Sequence, residues 1–283
     1  MRIARTIAEA REAIAAARKA GKTVGFAPTM GALHEGHLSL MRRARKEHGL
    51  AVASIFVNPT QFGPSEDLNR YPRPFEKDCK LAEAAGVDLL FAPTPEVMYP
   101  AGYTVAVTEK ELSRVLEGAV RPGHFDGVCT VCAKLFNIIQ PDTSYFGQKD
   151  YQQAAIIRRM VRCLDIPMQV VVMPIVREPD GLAMSSRNVY LNPEERKQAL
   201  CLSRALQAAV KAFDAGERRA GELKRVMSDI ITRQPLAKPD YITVAHPDTL
   251  ADLDRIETGA VALLAVRFGA TRLLDNALLG SAS

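Results

Sequence analysis

The chain has 283 residues, 47% hydrophobic and 24% charged, with 37 basic against 32 acidic side chains for a net charge of +5. This is the balance of a soluble globular protein, long enough for one large domain or two ordinary ones. The basic excess is small and spread out, so nucleic acid is not expected as a partner and anionic small molecules are.

No uninterrupted apolar run approaches bilayer length, and residues 1–5 read as the opening of an amphipathic helix rather than a signal peptide. No membrane association is expected. The five cysteines are an odd number at irregular spacing, which argues against a disulfide framework and for a reducing, cytoplasmic setting.

Residues 3–20 carry Ile3, Ile7, Ala10, Ile14 and Ala17 at helical spacing, with Gly21 as the stop. A short buried strand follows over residues 23–27, then a ten-residue turn, then a helix of strong helix formers over residues 38–47 closed by Gly49. Its basic run, Arg42-Arg43-Ala44-Arg45-Lys46, reads as a solvated face. Residues 50–57 are continuously apolar, as a strand covered on both faces is, and end in the turn-rich Asn58-Pro59-Thr60-Gln61-Phe62-Gly63-Pro64. A helix over 75–85 and a strand over 87–91 complete a β-α-β-α-β alternation, which predicts a parallel sheet wrapped by helices.

Residues 103–108 alternate like an edge strand, a candidate for pairing with a second copy. Residues 128–139 read as a buried helix. It contains Cys129-Thr130-Val131-Cys132, which without a second C-x-x-C or nearby His is read as core thiols rather than a zinc or redox site. A strand over 143–146 runs into Gly147-Gln148-Lys149-Asp150 and a helix over 151–163, and residues 168–176 give the last strand of this sheet. The composition changes at Arg177-Glu178-Pro179-Asp180-Gly181, a hinge between a domain over 1–176 and a smaller α+β domain over 177–283. Just after it, Leu182-Ala183-Met184-Ser185-Ser186-Arg187-Asn188 sets two hydroxyls and a guanidinium on a loop. Two helices (193–213 and 221–234) and strands near 241–245, 260–268 and 271–274 complete the chain.

The ten-residue turn, Pro28-Thr29-Met30-Gly31-Ala32-Leu33-His34-Glu35-Gly36-His37, organises this pattern. It lies where a strand ends and a helix begins, where free backbone N–H groups and the helix dipole both favour an anion. Two imidazoles three residues apart add donors for charge building on a phosphate. Gly31 and Gly36 permit close backbone approach. There is no G-x-x-x-x-G-K-[ST], so this is not a P-loop but a nucleotide site of the H-x-G-H type, found in enzymes that attack the α-phosphorus of ATP. In a parallel sheet, ligands gather beyond the carboxyl ends of the strands, where His34, His37, Asn58, Gln61 and Lys149 all fall.

With these pieces together the chain resembles the pantothenate synthetase (pantoate–β-alanine ligase) family. The resemblance is carried by residues 28–37, 58–62, Tyr71-Pro72-Arg73, 121–128, 147–153 and 182–188, in that order. It implies a Rossmann-like parallel-sheet domain that binds ATP and pantoate, with a smaller α+β C-terminal lid. It also implies ATP-dependent condensation of (R)-pantoate with β-alanine through a pantoyl adenylate, releasing AMP and pyrophosphate. By resemblance, His34 and His37 contact phosphate oxygens, with His37 as donor. Met30, Gly31, Ala32, Leu33, Glu35 and Gly36 line the ATP site. Gln61 and Gln153 hold pantoate, and Gln61 also lies near β-alanine. Gly147, Gln148, Lys149 and Asp150 contact the nucleotide, with Lys149 reaching the phosphates, and Val176 touches adenine. Met184, Ser185, Ser186 and Arg187 form a second phosphate-binding loop that closes with the lid. Mg²⁺ is expected on the phosphates, held mostly by ATP and water, with Asp78 as the candidate protein contact. The family suggests a homodimer. It commonly has Glu where this chain has Gln148, and Arg121 and His124 lean to structural roles around the pocket. The competing readings are an H-x-G-H nucleotidyltransferase acting on a phosphorylated acceptor, and a nucleotide sensor without catalysis.

Overall fold

The computed structural model describes residues 1–64 and 66–280. The chain forms two units: Met1–Gly147 with Gln153–Pro174, and Gln148–Gln152 with Ile175–Ser283. Among the described residues no helix is long and apolar enough to cross a membrane.

The first unit contains, in order, β1 (Arg2–Ala4), α1 (Ile7–Lys19), β2 (Val24–Thr29), α2 (Glu35–Glu47), β3 (Leu50–Ile55), α3 (Phe75–Ala84) and β4 (Leu89–Phe91). Then follow α4 (Pro95–Met98), α5 (Glu117–Val120), α6 (His124–Ile139), β5 (Thr143–Gly147), α7 (Tyr151–Cys163, whose first two residues group with the second unit) and β6 (Gln169–Met173). The strands form one parallel sheet in the order β1-β4-β3-β2-β5-β6. β2, β3 and β4 are buried almost throughout, because helices cover both faces of the sheet. From β2 the chain first winds through β3 to β4, then crosses back to β5 on the other side of β2. The switch point therefore lies between β2 and β5, where doubly wound sheets open a crevice for ligands.

Two expectations are corrected. Residues 2–4 form an edge strand paired with β4, and the first helix starts only at Ile7, where Thr6 and Glu9 close a capping box. Residues 103–108 are not a strand; the Val107 N–H is instead taken by Thr130 Oγ1 at 2.9 Å.

Helix α2 is tied down at its C-terminal end. Tyr145 in β5 donates to Glu47 Oε2 at 2.6 Å and lies 3.0 Å from His48 Nε2. Gly25 makes room for the His48 ring, since a Cβ there would stand 2.6 Å from His48 Cδ2. Helix α6 is buried along its length, and Cys129 and Cys132 sit within it as core thiols. Burial pushes the Cys129 thiol up to about 12, so it is inert at neutral pH.

The same helix positions the loop after β3. Gly127 meets the 3₁₀ turn Pro59–Gln61 so closely that a Cβ there would lie 2.5 Å from Thr60 O and 2.7 Å from Gln61 Cα. Arg121 grips Glu66 with two bonds of 2.7 Å, and its third nitrogen lies 3.0 Å from His124 Nε2. His124 Nδ1 is 2.8 Å from the Gln61 carbonyl. That carbonyl only accepts and the guanidinium only donates, so His124 is neutral with its proton on Nδ1. Both Arg121 and His124 thus carry the backbone of Gln61. Burial, with the Arg121 charge beside it, pushes the His124 pKa from 6.5 down to about 4.

The second unit holds α8 (Pro193–Ala199), α9 (Cys201–Asp214), α10 (Ala220–Thr232), β7 (Ala237–Ala245), β8 (Ala260–Phe268) and β9 (Thr271–Leu279). The helix expected over 193–213 is two, parted at Leu200, which ends α8 and precedes α9. The strands form an antiparallel sheet in the order β7-β8-β9. Leu206, Leu223, Met227 and Ile231 of the helices pack on Val244, Leu264 and Val266 of the strands, giving this unit a core of its own.

Two measurements check the loop packing. Gly127→Ala must push α6 off backbone atoms, which costs about 1–3 kcal/mol in chemical denaturation. For His124 the unfolded state takes a proton first as pH falls, so stability is full above about pH 6.5 and declines toward about pH 4. The loss should reach about 3 kcal/mol by pH 4, from 1.36 kcal/mol per pKa unit. A His124→Gln variant should show a flatter denaturation profile across that window.

Candidate active site

Strand β2 ends at Thr29, whose hydroxyl donates to Ser54 O at 2.7 Å and accepts from Gly31 N at 3.2 Å. The backbone then turns through two left-handed residues, Gly31 at φ 86° and Ala32 at φ 50°. Glycine takes such a conformation freely; alanine does so at a cost of about 1–2 kcal/mol. The cost is met by Asp78 in α3, which is 1% exposed. Its Oδ2 accepts from Ala32 N and its Oδ1 from Leu33 N, both at 2.8 Å. Hydrogen bonds to a charged group contribute about 1.5–3 kcal/mol each, so the pair outweighs the strain. Burial raises the Asp78 pKa while the two backbone donors pull it back.

Asp78, the residue expected to touch magnesium, thus gives one oxygen to each of two backbone N–H groups of the histidine turn. Among the described residues no group of three His, Cys, Asp or Glu side chains is placed to hold a metal ion.

After the turn, His34 caps α2 in place of the usual Ser, Thr, Asp or Asn. Its Nδ1 accepts from Gly36 N at 3.2 Å, and His37 Nδ1 accepts from His34 N at 3.4 Å, a reciprocal capping box made of two imidazoles. The rings lie 4.0 Å apart between centroids. Gly36 is required by this arrangement, because a Cβ there would stand 2.9 Å from His34 Cε1. Each Nδ1 faces a backbone N–H, so each neutral ring carries its proton on Nε2. The helix N-terminus thereby bears two N–H donors that the backbone has already oriented. Glu35, exposed, pairs with Arg42 along the helix.

Gln61 joins this group. It is 8% exposed, and its Nε2 lies 3.2 Å from Met30 Sδ, beside the histidine turn. Its orientation is set by Asn58, which is 1% exposed. Asn58 Nδ2 donates to Gly127 O at 3.1 Å and to Gln61 Oε1 at 3.0 Å, while its Oδ1 accepts from Tyr99 Oη at 2.7 Å. A backbone carbonyl can only accept, so the Asn58 amide cannot flip, and Gln61 must turn its N–H₂ end away from Asn58. Gln61 is thus a fixed donor. Sequence reasoning placed Asn58 at the strand end but gave it no task; the signal was a buried Asn one turn before Gln61.

The remaining expected residues are described within their own units. Gln153, half-buried, stands in the first turn of α7 in the first unit. The second unit holds Gln148, Lys149 and Asp150 as one 3₁₀ turn, with Lys149 Nζ 3.4 Å from Asp150 Oδ1. It also holds Val176, whose carbonyl accepts from Met184 N at 3.0 Å, and the turn Ser186–Tyr190, capped by Ser185 Oγ on Arg187 N at 3.2 Å. Asn188, bonded to Glu178 Oε1 at 2.6 Å and Ala183 O at 3.1 Å, pins that loop. Gly147 closes β5 in the first unit.

Comparisons with known proteins point to one family. The family model described as Pantoate-beta-alanine ligase matches residues 2–278. A pantothenate synthetase of Chloroflexus aggregans is 58% identical over 99% of this chain and 100% of its own length. One of Pelotomaculum thermopropionicum is 54% identical over 99% of both. Among solved structures, pantothenate synthetase from Thermus thermophilus superposes with a TM-score of 0.94 at 50% identity, covering 99% of this chain and 100% of that one. The ligase from Francisella tularensis, complexed with β,γ-ATP and β-alanine, superposes with a TM-score of 0.80 at 33% identity, covering 100% and 99%. A strand-end turn capped by two histidines, a fixed glutamine donor beside it and a match along nearly the whole chain together place this protein in the pantoate–β-alanine ligase family.

Proposed function

We propose that this chain joins (R)-pantoate to β-alanine at the expense of ATP, with the residues of the two units in the following roles. The observation that carries the reading is the histidine-capped turn at the head of α2, with the Gln61 amide against Met30 of the same turn.

A free carboxylate does not acylate an amine near neutral pH, because its oxygen is too poor a leaving group. Attack of the pantoate carboxylate on the α-phosphorus of ATP expels pyrophosphate and yields a mixed anhydride with AMP. The amine of β-alanine then adds to the activated carbonyl and AMP departs. The first step moves little proton, so the protein's work is to position two anions and spread charge over the phosphate oxygens. His34 and His37 donate to those oxygens from Nε2, with His37 also able to supply a proton. The turn from Met30 to Gly36 lines the nucleotide. Gln61 and Gln153 bind pantoate as neutral amides, which orients the carboxylate without an ion pair to blunt its nucleophilicity; Gln61 also borders β-alanine.

Lys149 and Arg187 supply the cations, with Ser185 and Ser186 on the phosphates, Met184, Gln148 and Asp150 along the nucleotide and Val176 on adenine. In this reading the residues from 177 onward act as the lid domain. Magnesium enters as part of the nucleotide, held by phosphate oxygens and water. A cytoplasmic setting fits the five free thiols. A homodimer through the first unit belongs to the same proposal, and Val105, 73% exposed, is an apolar side chain for a partner to cover. The nucleotidyltransferase reading is not favoured, since the family match extends through the second unit.

Incubation with Mg·ATP, pantoate and β-alanine should give pantothenate and AMP only when every component is present. Pyrophosphate without an amide product would point to the transferase. His37→Ala should slow adenylate formation by about 10²–10³-fold, the loss typical of one charge-stabilising donor. Gln61→Ala should raise the KM for pantoate more than that for ATP in steady-state kinetics.

A further inference from the structure

Lys149 is a flexible four-carbon cation on a turn, so the direction in which it leaves the backbone decides where its charge can go. That direction is held from β9. Asn276 is 2% exposed, and its Nδ2 donates to Gln148 O and to Lys149 O, both at 2.9 Å. These carbonyls belong to the peptide groups on either side of the Lys149 α-carbon. Both N–H bonds of the amide are spent on groups that only accept, so Asn276 cannot flip. Its Oδ1 then faces Gln148, whose Nε2 donates to it at 3.1 Å. Gln148 thereby offers a donor that a glutamate carboxylate would lack, which gives the departure at this position a partner.

The next residue back works on a different segment. Asp275, also 2% exposed, takes both ends of the Arg177 guanidinium at 2.7 and 2.9 Å, and Arg177 also donates to Gly181 O at 3.1 Å. Arg177 and Ala183 are bridged in the short hairpin that leads to Ser185 and Arg187. Two successive residues of one strand therefore fasten the segment that carries Lys149 and the one that leads to Arg187.

We propose that Asn276 is a positioning residue for Lys149, setting the peptide groups on both sides of its α-carbon so that the ammonium is aimed before ATP arrives. The inference rests on the reading of Lys149 as a phosphate contact. Asn276 touches no substrate; it acts through the turn. Tyr151 Oη, bonded to Pro247 O at 3.1 Å, ties down the same segment farther on, so removal of the Asn276 amide loosens Lys149 without freeing the whole turn.

The test compares Asn276→Ala, Lys149→Ala and the double variant in the full-length protein, with adenylate formation read by pantoate-dependent ATP–pyrophosphate exchange. Capture of β-alanine by added pantoyl adenylate is measured alongside. Asn276→Ala should slow exchange by about 10²-fold, the cost of a misplaced group, and leave β-alanine capture within about twofold. The double variant should be no slower than Lys149→Ala, because the two residues act as one. Independent, multiplying losses, or equal losses in both half-reactions, would overturn the assignment and mark Asn276 as structural only. If Asn276→Ala does not fold, Asn276→Asp keeps the volume but sets an acceptor-only carboxylate against both carbonyls; it should slow exchange while leaving β-alanine capture within about twofold. Normal exchange in folded Asn276→Asp, or equal losses in both half-reactions, overturns the proposal. Full exchange in Lys149→Ala would refute the role of Lys149 itself, whereas loss there with normal exchange in folded Asn276→Ala refutes only the inference.

Discussion

One buried carboxylate makes the histidine turn possible. Asp78 reaches from α3 to accept the N–H groups of Ala32 and Leu33, and so holds an alanine in left-handed backbone. Remove that carboxylate and two N–H groups lose their acceptor while the strain remains. The histidines follow from the turn. Once the chain leaves Leu33 in this direction, His34 falls at the N-cap of α2 and His37 three residues on, where each ring can close on the other's backbone. The far end of the helix is fixed separately by Tyr145 on Glu47 and His48, so the imidazoles stand on a rod held at both ends.

A second constraint acts on Gln61. The Gly127 carbonyl orients Asn58, Asn58 orients Gln61, and the Arg121–His124 pair carries the Gln61 backbone. Every link is a buried or half-buried polar group with its partner in place, and such networks are rigid because a mispaired member is costly in a low-dielectric interior. The absence of a Cβ at residue 127 lets α6 approach closely enough for the first link to form. In the proposed chemistry this matters because the nucleophile is an anion. A fixed neutral donor positions it without lowering its reactivity, and the cations are kept for the phosphates.

Chain order and unit membership diverge at Lys149. It lies two residues past the end of β5 of the parallel sheet, yet its turn is bonded to β9 and groups with the second unit. The loop bearing Ser185 and Arg187 is fastened to the neighbouring residue of the same strand through Arg177. The cations assigned to ATP thus share one small antiparallel sheet as their support, while the imidazoles and carboxamides assigned to it and to pantoate share the parallel sheet.

The sequence by itself determined the parallel sheet, its buried strands and the place of the histidine turn. These rest on local signals: apolar runs, helix formers, glycines and the joint order of short motifs. It also identified the family, now supported by matches along nearly the whole chain. Its errors fell where local pattern is weak. Residues 2–4 pair as a strand only because β4 offers an edge, and residues 103–108 alternate without any strand to pair with. Only the tertiary structure decided what Asp78, Asn58, Gly127 and Asn276 do. Each acts on a backbone or side-chain group that another element brings to it, and no periodicity along the chain records where a carbonyl will point once the chain has folded.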